Sequence, residues 1–250
     1  MSYTRRLWKP LVATTAGGIV GLGSFFVFTR HAILVPIEPT DRINQVVQNG
    51  NFNPHRNPVV EDKFVRRIPL DQINPRLLEN PQKLNESFYA GVWSGPGMSA
   101  PFSICRSLLP DERGLTIAGF SIQRTLSRIV SSDDPSTPKL WSRDELAAST
   151  YEQGTWITSS LEVYEKTPEA IVIRGGDTEI KDGLKGLDAF MELSSAIKKE
   201  EGVVEFGLRS IFFTGTDATG TPALPGFAVW LHLQYAKLLL VTGTAHFGRQ

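Results

Sequence analysis

The chain has 250 residues, with 26 basic and 26 acidic side chains. That balance leaves no electrostatic footprint for a nucleic-acid partner. One cysteine, Cys105, excludes an internal disulfide framework, and four scattered histidines with it exclude a Cys/His zinc pattern.

Leu11 to Phe28, LVATTAGGIVGLGSFFVF, is an uncharged run of 18 residues. As a helix it would be ~27 Å long, close to the ~30 Å hydrocarbon core of a bilayer. Arg5, Arg6 and Lys9 precede it and Arg30 and His31 follow it. A cleaved signal peptide has the same outline, but no small-x-small cleavage site follows the run. The run predicts an N-terminal membrane anchor over 1–35. The basic residues ahead of it favour a cytosolic N-terminus and a lumenal domain, where Asn85-Glu86-Ser87 would be a usable glycosylation sequon. Ala13, Gly17 and Gly21 share one face of the anchor and would admit a second membrane helix.

Residues 36–58 are polar and rich in Asn and Pro, and predict a tether. Val59 to Leu70 alternates as a strand. Asn74-Pro75 and Asn80-Pro81 are N-cap and N1 pairs opening two helical pieces, the second running to the Gly95-Pro96-Gly97 break. Phe102 to Leu109 reads as a further helical turn and Ser131 to Pro138 as a loop. Ser142 and Glu145 have capping-box spacing. Tyr151 to Tyr164 and Ala170 to Arg174 predict one hairpin, and Leu187 to Ile197 with Val203 to Phe213 a second. In the latter, Leu187, Ala189, Met191, Leu193 and Ile197 share a face opposite Asp188, Glu192 and Ser194. A final helix runs from Phe227 to about Phe247, with Phe227, Trp230, Leu231, Gln234, Tyr235, Leu238 and Leu239 as its apolar stripe. His232 lies off that stripe and is expected in solvent.

The predicted class is α+β: an N-terminal transmembrane helix, then a helix-grip-like domain over 59–250. There a curved antiparallel sheet would pack on the long C-terminal helix and enclose an apolar cavity. A cone-shaped α+β barrel and a short sandwich are the competing arrangements.

No G-x-S-x-G, H-E-x-x-H, P-loop or dinucleotide fingerprint is present, so no cofactor is expected. On the first strand Val60, Asp62, Phe64, Arg66 and Ile68 share the more apolar face. Asp62 and Arg66 are therefore the catalytic candidates, expected as an inward pair set in a cavity; the alternatives are a structural ion pair, or a sheet edge with both residues in water. Tyr89 and Trp93, four apart on a helix, are candidate substrate contacts, with core packing as the alternative. Trp156, Trp230, Gln234 and Tyr235 are further candidates, Gln234 either bonding to backbone or facing a ligand. Tyr151, Glu152, Arg174 and Asp177 lie at strand ends, where pocket mouths form.

Five segments carry a resemblance: VVEDKFVRRIPL, FYAGVWSGPG, STYEQGTWITSSLEVYEKTPEAIVIRGGD, GVVEFGLRSIFF and PALPGFAVWLHLQYAKLLL. They resemble a family of small membrane-anchored fungal proteins found beside polyketide and polyketide–peptide synthases in secondary-metabolite gene clusters. The similarity spans about residues 55–240. After Gly97 this chain departs from the family, with only Arg106 and Arg113 where relatives carry a basic, aromatic helix. The resemblance implies an endoplasmic-reticulum protein that assists ring closure of an apolar intermediate, of the decahydrofluorene type, beside a cytochrome P450 and a sister membrane subunit. It implies no catalytic residues. The alternative is a non-catalytic, lipid-like binding module that presents the intermediate to a membrane P450.

Overall fold

A computed structural model describes residues 24–95, 139–158, 161–177 and 179–247. Residues 11–23 of the expected anchor, with its Ala13, Gly17 and Gly21 face, lie outside these. So do the turn at 102–109 and the loop at 131–138. Among the described residues no helix is long and apolar enough to cross a membrane. The last part of the apolar run, 24–28, is helical together with Thr29, and Phe26, Val27 and Phe28 are exposed.

The apolar runs on either side of Lys199–Gly202 form two twelve-residue strands, β7 (Leu187–Lys198) and β8 (Val203–Thr214). Gly202 turns the chain between them at φ 68°, which only a residue without a Cβ adopts freely. The strand read over 59–70 is β2 (Val60–Pro69), and its whole length pairs antiparallel with residues 203–212 of β8. β1 (Ile33–Leu34) flanks β2 at one edge. On the other side β7 pairs with β6 (Ala170–Gly176) and β6 with β5 (Leu161–Lys166), followed by β4 (Trp156–Ile157) and β3 (Lys139–Leu140). The result is an eight-stranded sheet, antiparallel except for the β3–β4 pair. The strand read over 151–164 is interrupted. Tyr151 and Gly154 take positive φ, and Tyr151 turns into the core to donate its hydroxyl to the Leu146 carbonyl.

Local signals set the helix starts. Asn74 Oδ1 accepts from Arg76 N at 3.0 Å and opens α2 (Pro75–Leu78); Asn80 Oδ1 accepts from Lys83 N at 3.1 Å and opens α3 (Pro81–Ser94). Ser142 and Glu145 form a reciprocal capping box on α4 (Arg143–Ala148). α3, α4 and α5 (Gly226–Gly243) cover one face of the sheet. α3 and α5 cross almost backbone to backbone. A Cβ on Gly91 would lie 2.0 Å from the Gly243 carbonyl oxygen, and one on Gly243 would lie 2.5 Å from Val92.

The other face overturns the tether reading of 36–58. Arg42–Asn49 is a helix, here α1, and it packs on the sheet. Ile43, Val46 and Val47 have i, i+3, i+4 spacing, and with Phe52 they bury against Val172, Phe190, Ile211 and Phe213. Three apolar residues among Asn and Gln suffice because the sheet beneath is itself partly polar. Glu192 reaches up to accept from Ile43 N at 2.8 Å and stands in for an N-cap, since Asp41 makes none. Arg209, 2% exposed, donates to Asn44 and Glu61 and pairs with Asp41.

The sequon also reads differently in three dimensions. Asn85 is buried on α3 and donates through Nδ2 to the Pro168 carbonyl at 2.6 Å, so its amide is not presented for glycosylation.

Candidate functional site

The covered face of β2 carries Asp62, Phe64 and Ile68 inward, as its alternation implies. Asp62 and Arg66 do not pair, however. Each is taken by a different part of α5, which runs alongside β2 in the same direction. Arg66 donates to the Val241 carbonyl and the Thr244 hydroxyl, both at 2.8 Å, and so closes the C-terminal end of α5. Burial lowers the pKa of its guanidinium from the ordinary value. Both residues lie on β2, four positions and about 13 Å apart along the strand, and the helix offers each a closer partner.

Asp62 instead meets His232. Its Oδ2 lies 2.8 Å from His232 Nε2, with both side chains almost wholly buried. His232 was expected in solvent. In fact α5 is rotated from the stripe that its large residues mark. Ala228, His232, Ala236 and Leu239 face the sheet, while Phe227 and Trp230 stand outside. Large apolar residues occur all round this helix, so their pattern does not choose a face. The close crossing at Gly91 and Gly243 does, because it demands small residues inward. The signal that finds His232 is its place between Ala228 and Ala236, four residues either side.

Beneath α5 lies a cavity of about 110 Å³. Its apolar wall includes Leu161, Ile173, Ala189, Met191 and Leu208 from the sheet, Trp93 from α3, and Tyr235, Ala236 and Leu239 from α5. One corner is polar. His232 and Ser210 line it, and Ser210 is the cross-strand partner of Asp62. Directly opposed residues share a face, so Asp62, Ser210 and His232 form one constellation. Ser210 Oγ and Asp62 Oδ1 are buried and have no hydrogen-bond partner among the described residues. Unsatisfied buried oxygens are uncommon and each calls for an explanation. The His232 ring stands edge-on to Phe212, with centroids 4.6 Å apart.

The sequence-derived candidates divide. Trp93 and Tyr235 line the cavity. Tyr89 is buried core between Phe88 and Tyr151, and burial pushes its phenol pKa up. Trp156 is a half-buried residue of β4, Trp230 stands outside, and Gln234 is near it with Nε2 at 3.5 Å from the Trp230 carbonyl. The strand-end groups serve structure. Arg174 makes two bonds to Asp188, at 3.0 and 2.7 Å. Glu152 pairs with Lys166, which lowers its pKa, and Asp177 accepts from Leu187 N. Sequence reasoning missed Ser210 and His232.

When Asp62 is ionised, its oxygen accepts from His232 Nε2–H. That bond orients the ring, selects its tautomer and leaves the lone pair on Nδ1. A positioned imidazole backed by a carboxylate is a proton acceptor and donor, and its lone pair is its working part. Among the described residues no group of three His, Cys, Asp or Glu side chains could hold a metal ion. No protein-family model, curated protein or solved structure matches this chain.

Proposed function

We propose that this protein assists cyclisation of an apolar polyketide-derived intermediate at the endoplasmic reticulum membrane. In this reading the cavity beneath α5 holds part of the substrate. The observation that carries the proposal is an apolar cavity with one polar corner, built from His232, Asp62 and Ser210. The sheet and terminal helix are then read as a helix-grip-like arrangement, and the 11–28 run as the membrane anchor. The family resemblance supplies the substrate class and the fungal setting. Ala13, Gly17 and Gly21 supply the contact for a P450 or sister subunit.

Ring closure needs the chain folded into a reactive conformer and a proton moved at the right moment. Holding a flexible substrate removes rotational freedom before the reaction, a contribution of up to ~7–11 kcal/mol in well-oriented cases. His232 Nδ1 takes a proton from a carbon beside a carbonyl, and Asp62 steadies the resulting imidazolium. The enolate carbon forms the new C–C bond to a conjugated C=C carbon of the same chain, whose π bond breaks, and the imidazolium returns its proton to the carbon or oxygen that receives that electron pair. Ser210 Oγ is placed to donate to a substrate oxygen. No net oxidation occurs.

A second reading is favoured by size. A cavity of about 110 Å³ is below the ~300–1,000 Å³ of most small-molecule sites. That volume suits gripping one apolar arm of a larger intermediate and presenting the rest to a membrane P450, without catalysis. Deletion of the gene with metabolite profiling tests the shared claim. Accumulation of an uncyclised or shunt product supports it, and an unchanged profile without a redundant copy refutes it. Turnover of the linear intermediate by the purified full-length chain separates the two readings.

A further inference from the structure

The outer face of α5 is largely apolar, interrupted by Gln234, and unpartnered among the described residues. Phe227 and Trp230 are 46% and 47% exposed, and their rings stack at 5.9 Å. Leu231 and Leu238 continue the same side of the helix, each half-buried. Such a face in water is an association hazard unless something covers it.

Its neighbours point to the occupant. Lys237 on α5 places its ammonium 5.6 Å from the Phe64 ring on β2. Phe64 is the direct partner of Leu34 on β1, so Leu34 lies on the same side of the sheet. Leu34 is exposed there, and its neighbour Ile33 is exposed on the opposite side of the edge. The apolar surface therefore runs from the β1 edge past Lys237 to Trp230 and Phe227. Leu34 lies only six residues after Phe28, where the uncharged N-terminal run ends. Six residues of chain reach at most about 20 Å, so a bilayer crossed by that run lies within reach of β1. Charge agrees as well. Gly226–Gly243 contains no Asp or Glu, and its one charged residue is Lys237. A stacked Phe–Trp pair with a lysine and no acid suits the headgroup zone, where Trp is enriched and anionic lipids attract cations.

We propose that the outer face of α5, with the β1 edge, lies on the membrane surface as a second contact beyond the anchor. This inference rests on the anchor reading and deepens the proposed function. Leu231 is one turn from Tyr235, which lines the cavity, so an apolar intermediate dissolved in the bilayer would enter along the flank of α5.

The test uses the full-length chain reconstituted in phosphatidylcholine–phosphatidylserine vesicles, with and without brominated acyl chains that quench tryptophan. Wild type, Trp8→Phe and Trp230→Phe are compared after flotation. The account predicts that the protein floats with vesicles and that brominated lipid quenches its fluorescence. Two of the five tryptophans then face lipid, and Trp230→Phe removes about half of the quenched signal. If Trp8→Phe lowers quenching and Trp230→Phe does not, the anchor stands and the α5 proposal fails. That result includes the case in which a second copy or another part of the chain covers the face. Absence from the floated fraction overturns the anchor reading and this inference with it. Trp230 is exposed, so its replacement by Phe leaves the core intact.

Discussion

Replacing His232 with Ala is the sharpest probe of the polar corner. Asp62 would lose the partner at 2.8 Å, and its other oxygen has none among the described residues. The two side chains are only 6% and 2% exposed, so solvent does not screen the pair. Breaking a buried pair from one side costs about 3–5 kcal/mol. The lost edge-on contact with Phe212 adds about 1 kcal/mol. The expected loss is therefore about 4 kcal/mol or more, a large share of a typical domain's stability. Asp62→Asn keeps an acceptor for the ring N–H and should lose only about 1 kcal/mol. Urea denaturation of the full-length protein in detergent at neutral pH, followed by tryptophan fluorescence, measures both. A His232→Ala loss below about 1 kcal/mol would refute a buried, coupled pair.

Glu192 gives a pH test. Burial raises its pKa, against the opposing bond from Ile43 N–H. A raised folded pKa favours the fold below the unfolded value, and that contribution is lost as pH rises through the folded value. Glu192→Gln keeps an acceptor but removes the titration, so its stability relative to wild type should rise as pH climbs above the ordinary glutamate range; a flat or falling difference in urea midpoints contradicts this. Asn85 should carry no glycan, so endoglycosidase treatment of the native protein should leave gel mobility unchanged at this position, and a shift abolished by Asn85→Gln would show the amide to be accessible. Ala189→Phe projects a ring into the cavity. It should keep the fold within about 1–3 kcal/mol of wild type and lower the affinity for a fluorescent apolar probe at least tenfold, whereas unchanged probe affinity would place binding elsewhere.

What the sequence revealed and what it concealed have physical causes. The β7–β8 hairpin, the inward face of β2 and the caps at Asn74, Asn80 and Ser142 rest on short-range rules, and each was legible. α1 was not, because Ile43, Val46 and Val47 sit among Asn and Gln in a segment that reads as solvated. Only the sheet beneath, with Glu192 and Arg209 ready for its polar groups, makes that helix worthwhile. α5 was legible as a helix but not in its rotation. Its largest residues stand on the outside, while the glycine crossing with α3 selects Ala228, His232 and Ala236 for the inside. The cavity was foreseeable between sheet and terminal helix. Its polar corner was not, because Asp62, Ser210 and His232 meet only through the β2–β8 register and that rotation.

The central claim is that the corner formed by His232 and Asp62 serves chemistry on an apolar intermediate. The most direct measurement is the metabolite profile of the native host carrying His232→Asn in place of the wild-type gene, with protein abundance measured in the same cells. The account predicts normal protein abundance together with the uncyclised or shunt product of a full deletion. A wild-type profile from His232→Asn would contradict it.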